Sequence, residues 1–116
     1  MRRMKDAALV MALALSAGTL AVPALAADVD ADAAQALVKK NDCGKCHAAD
    51  RDKKAPSWKK IAGKAKGKAD AEEKMIKHLT SSPKVKLEDG TEEEHKAINT
   101  KDTAALKNLV AWILAR

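Results

Sequence analysis

Two kinds of hydrophobic pattern run along this chain. Residues 7–22 form an apolar run broken only by Ser16, Gly18 and Thr19. Beyond it, apolar residues recur three and four positions apart, the spacing of helices with one buried face. Ala33, Ala36 and Leu37 mark a first helix over 32–40, with Asp30 or Asp32 as N-cap. Trp58 and Ile61 mark a short second helix over 56–62, opened by Pro56 and ended by Gly63. Met75, Ile76 and Leu79 mark a third, which a capping box of Asp70 and Glu73 starts and Ser81-Ser82-Pro83 ends. The clearest helix is the last, with Leu106, Leu109, Val110, Trp112, Ile113 and Leu114 behind a cap at Thr100 or Asp102. The one extended piece is 85–87, and 92–94 reads as a short helix capped by Thr91. Residues 63–68 are a connector. The segment 81–99 is long for a loop in so small a domain, which implies a task for it. The fold class expected is all-α.

Candidate chemistry concentrates between the first two helices, where Cys43-Gly44-Lys45-Cys46-His47 reads C-x-x-C-H. That spacing is the attachment signature of a c-type haem. Cysteines three apart fall on one helical turn, within reach of two vinyl groups, and the following histidine reaches the iron. A zinc site would need a second ligand pair, yet Cys43 and Cys46 are the only cysteines of the chain. A thioredoxin-like dithiol would need a βαβ pattern around it, and a plain disulfide leaves His47 unexplained. The cofactor expected is one haem c, held through Cys43 and Cys46.

Export agrees with covalent haem attachment. Arg2, Arg3 and Lys5 precede the 7–22 run, and Ala24-Leu25-Ala26 offers small residues where a signal peptidase acts. Residues 1–26 are therefore expected to be a signal peptide cleaved before Ala27, and 27–116 a single periplasmic domain without stable membrane insertion. The retained-anchor alternative is disfavoured by the shortness of the run. Ninety residues are few for a self-sufficient apolar core, and this chain has no Phe or Tyr and only Trp58 and Trp112. A haem would supply the missing apolar bulk.

Charge narrows the partners. Removing Arg2, Arg3, Lys5 and Asp6 from 22 basic and 16 acidic residues leaves 19 and 15, a net of +4. The scattered lysines suit a solvated surface, and as a positive collar they would steer redox proteins with acidic docking surfaces. No basic helix reads as a nucleic-acid recognition element. A monomer is expected.

The order of features (a first helix, C-x-x-C-H, Ala55-Pro56-Ser57-Trp58-Lys59-Lys60-Ile61-Ala62, a third helix, a loop, a Leu/Val/Trp-rich terminal helix) resembles the small bacterial class I c-type cytochromes over residues 30–116. The resemblance implies about four helices around one haem, with Ala33, Ala36 and Leu37 packed on Leu109, Trp112 and Ile113. It implies that the backbone beside Pro56 holds the second nitrogen of His47, and that Trp58 packs on the haem or reaches a propionate. The family's distal ligand is usually a methionine in the loop before the last helix, and this loop has none. His95, 48 residues after His47, falls at the corresponding place, so the resemblance implies bis-histidine ligation by His47 and His95. Met75, His78 or an open sixth position are the alternatives. The function expected is electron transfer at a lowered potential. A ligand-binding or sensing haem protein with a displaceable distal ligand, or a haem subunit of an oxidoreductase complex, is the alternative. Catalysis by this chain alone is not expected, for it offers no distal acid–base constellation.

Overall fold

The structure, a computed structural model, describes Gly18 and residues 28–116. The expected leader (Gly18 apart) and its junction at Ala27 lie outside the described residues. Four helices carry the domain: α1 Ala31–Lys40, α2 Trp58–Ala65, α3 Ala71–Thr80 and α4 Thr103–Leu114. A single 3-10 turn, Cys43–Lys45, follows α1, and a small hairpin, β1 Lys84–Lys86 with β2 Glu92–Glu94, lies between α3 and α4. Among the described residues no helix is long and apolar enough to cross a membrane.

Three helix starts are set by side-chain caps. The Asp30 carboxylate accepts the Ala33 amide, Ser57 Oγ accepts that of Lys60, and the Asp102 carboxylate accepts that of Ala105, at 3.0–3.1 Å. Each satisfies one of the amides that a helix start leaves without an internal partner. Helices α1 and α4 cross where Ala34, fully buried, meets the face of α4 that buries Leu109 and Ile113. Asn108 fastens the crossing, accepting from the Asp30 amide at 2.9 Å and donating to the Asp30 carbonyl at 2.8 Å. Trp58 from α2 and Trp112 from α4 meet edge to face at 6.0 Å, a favoured aromatic geometry.

Several expectations from the sequence are corrected. The buried face of α1 is Ala34 with the partly buried Leu37 and Val38, whereas Ala33 and Ala36 are exposed. Positions 34, 37 and 38 keep the helical spacing but rotate the stripe by one residue. Pro56 lies one residue before the Ser57 cap, and α2 runs through Gly63 to Ala65. The chain turns instead at Gly67, whose φ of 78° suits a residue without Cβ. Asp70 caps no amide through its side chain; its carboxylate lies 2.9 Å from the Lys74 ammonium one turn on. Residues 92–94 are strand, not helix. Asp89-Gly90, with Gly90 at φ 85°, folds the chain back, and Lys84 and Lys86 then face Glu94 and Glu92. Opposite charges across the ladder favour this pairing, whereas a helix would crowd three like charges together.

The rotated stripe predicts opposite responses at two alanines. Ala34→Leu should overfill the α1–α4 crossing and cost about 1–3 kcal/mol, while Ala36→Leu should stay within about 0.5 kcal/mol of wild type. Urea unfolding of the two holoproteins checks this, and the reverse order would restore the face read from the sequence.

Candidate haem site

Helix α1 ends at Asn41, whose amide and side chain both bond to the Leu37 carbonyl. Asp42 then takes a left-handed conformation, φ 55°, which turns the chain sharply away from the helix axis. The turn that follows is closed by the amides of Cys46 and His47, both donating to the Cys43 carbonyl at 3.1 and 2.9 Å. This brings Cys43, Cys46 and His47 to the wall of one cavity of about 310 Å³. Its apolar walls are Val38 of α1, Trp58 of α2, Leu79 of α3, Val85 of β1, Leu87 beyond it, Ile98 of the connecting loop, and Leu109 and Ile113 of α4. The two thiols are free, and burial pushes the Cys43 thiol above its ordinary pKa. That is opposite to the depressed pKa of a reactive redox dithiol.

His47 is fixed from two sides. Its Nδ1–H donates to the Pro56 carbonyl at 2.6 Å, and its ring stacks on Trp58 with centroids 4.5 Å apart and planes 21° from parallel. Burial holds its pKa below the ordinary histidine value. The ring is therefore neutral near pH 7, with Nε2 left as the atom able to bind a metal. Trp58 thus touches His47 itself, and Pro56 supplies its own carbonyl to that ring.

His95 follows β2 directly, and its amide continues the hairpin by donating to the Pro83 carbonyl at 2.9 Å. Its Nδ1 is engaged with the Lys96 carbonyl at 3.0 Å, so Nε2 is again the free nitrogen. The ring is partly exposed, lines the same cavity, and lies 6.3 Å from that of His47, centroid to centroid. His78 is exposed, does not line the cavity, and sets its ring 4.5 Å from His95. Met75 packs against the hydrophobic core, outside the cavity lining.

These residues fit a haem. Among the described residues no three His, Cys, Asp or Glu side chains converge as a metal cage. The apolar walls suit a macrocycle, and the two thiols suit its vinyl groups. The rim mixes charges: Lys45 and Lys96 lie 3.7 and 3.6 Å from Asp42, and Glu93 and Glu94 stand beside them. The collar at this edge is therefore not uniformly positive.

Three participants escaped the sequence reading. Val85 and Leu87 become cavity walls only because the hairpin folds over the site, a fold that Asp89-Gly90 signals. Asp52 accepts the Ser57 amide at 2.9 Å and pairs with Lys60 at 3.0 Å, and nothing in its spacing announces that.

The family profile described as Cytochrome c matches residues 31–116. A crystal structure of the class 1 cytochrome MtoD from Sideroxydans lithotrophicus ES-1 is 57% identical, with a TM-score of 0.72, over 75% of this chain and 96% of that one. No curated protein matches the chain significantly. The cofactor of such a chain is covalently attached haem c, and Cys43 and Cys46 are the thiols present for it. The variant Cys43→Ser/Cys46→Ser should therefore lose all haem staining on a denaturing gel, while either single variant keeps one thioether and stains. A double variant that stained like wild type would place the attachment elsewhere.

Proposed function

Because the chain belongs to the cytochrome c family, we propose that it is a periplasmic electron carrier whose haem iron is held by His47 and His95. The observation that carries the ligation is the pair of imidazoles on one cavity, each tied at Nδ1 to a backbone carbonyl, 6.3 Å apart. Haem c supplies a one-electron ferric–ferrous couple. The protein contributes fixed ligands, apolar walls that limit water, and tethers at Cys43 and Cys46. With His47 and His95 each tied to a backbone carbonyl, little would need to move when the haem's charge changes. Two imidazoles favour ferric iron more than imidazole with thioether does, so the potential lies below that of His/Met cytochromes. The chain carries electrons and transforms no substrate. It works as a monomer, and its net charge of +4 after leader removal favours redox partners with acidic docking surfaces.

Residues 1–26 act as the export signal. Intact mass of the periplasmic protein should correspond to 27–116 plus one haem; a mass retaining the leader would favour a membrane anchor.

A second reading draws on the partial exposure of His95, whose ring bonds only to the carbonyl of the next residue. If His95 leaves the iron readily, a small ligand takes its place and the protein is a binder or sensor. Near-infrared magnetic circular dichroism of the ferric holoprotein decides between them. The carrier gives a low-spin bis-imidazole band, slow carbon monoxide uptake by the ferrous form, and a higher potential on His95→Met. A high-spin signal with prompt carbon monoxide uptake would favour the sensor, and a methionine-type band would bring Met75 into the site and overturn His95.

A further inference from the structure

We propose that Asp52 is a positioning residue for the proximal histidine, acting through the single peptide group between Pro56 and Ser57. The carbonyl of that peptide accepts the His47 Nδ1–H at 2.6 Å, and its amide N–H donates to the Asp52 carboxylate at 2.9 Å. Carboxylate, peptide and imidazole therefore form one hydrogen-bonded chain. A negative acceptor on the N–H side draws electron density toward the carbonyl oxygen, because hydrogen bonds in series polarise one another. A more negative oxygen pulls harder on the Nδ1 proton and makes Nε2 the more basic ligand. This is the logic by which a partner beyond the ligand shell tunes a metal-bound histidine, extended by one peptide unit.

The geometry is held rather than incidental. The Ala55 amide donates to the Cys46 carbonyl, that of Trp58 to the Ala48 carbonyl, and His47 and Asp52 pair as an isolated antiparallel bridge. The Pro56–Ser57 peptide is thus pinned on both flanks, and Ser57 is buried. Lys60, 3.0 Å from the second carboxylate oxygen, anchors Asp52 and offsets part of its charge.

The inference rests on His47 being an axial ligand. Its test is the reduction potential of the holoprotein with Asp52→Asn, which keeps the shape and removes the charge, and with Lys60→Met, which frees the carboxylate of its counter-ion. Asp52→Asn should shift the ferric–ferrous equilibrium three- to tenfold toward ferrous, about 30–60 mV at 59 mV per tenfold, and move the His47 Nδ1–H proton resonance. Lys60→Met should shift it the other way. At 1 M salt, where screening acts over about 3 Å, a field effect of an exposed charge disappears and a hydrogen-bonded relay persists. An Asp52→Asn protein of wild-type potential in 1 M salt, with the Nδ1–H resonance unmoved, would overturn the relay even if its unfolding midpoint fell. A wild-type ferric spectrum lacking any imidazole ligand would instead overturn the His47 assignment itself.

Discussion

The shortage of large apolar side chains governs this fold. With Trp58 and Trp112 as its only large aromatics, a domain of this length has little with which to fill the space between four helices. The structure leaves that space as a cavity whose walls come from every helix and from the hairpin. A haem is then both cofactor and core, and the polypeptide serves as a lining. The largest fully buried side chains, Leu109 and Val110, belong to the helix that would floor the site, and the Ala34 crossing lets α1 approach it closely. Folding and cofactor retention depend on the same contacts, which gives covalent tethering at Cys43 and Cys46 a structural value beyond chemistry.

Much of this was legible in the chain. C-x-x-C-H gives the cofactor, and helical spacing gives four helices, because both are local patterns that tertiary context does not need to complete. What was missed depended on context. Small residues surround position 34, and alanine spacing alone does not distinguish which of Ala33, Ala34 and Ala36 points inward; the clasp between Asp30 and Asn108 does. Glu92–Glu94 looks helical in isolation and becomes strand through partners six to ten residues earlier. Asp70 had the right residue for a capping box, but its carboxylate pairs with the Lys74 ammonium at 2.9 Å and caps no amide.

The two histidines are supported in different ways, and the difference bears on how the site works. His47 sits in a short closed loop, stacked on Trp58 and bonded to Pro56, so its position is fixed by contacts close in sequence. His95 hangs from a two-stranded hairpin. The Pro83 carbonyl holds its amide, and the hairpin tip is pinned at Glu88 by the Lys54 carbonyl. An isolated hairpin is marginal in water, so this one depends on the walls it offers: Val85 and Leu87 gain burial only by closing on the cavity contents.

That dependence orders the assembly of the site. The attachment turn and the His47 loop are built from hydrogen bonds among residues 43–59 and need little from the rest of the chain. The distal wall has hairpin bonds of its own, among them Leu87 to Thr91 at 2.7 Å and His95 to Pro83 at 2.9 Å, but its apolar residues have little to pack on until the cavity is filled. On the proposed ligation, attachment at Cys43 and Cys46 with capture by His47 would come first, and closure of the hairpin with His95 would follow. On that reading the His47 side would set where the iron lies and how basic its first ligand is, and the hairpin would set how tightly the remaining face is closed.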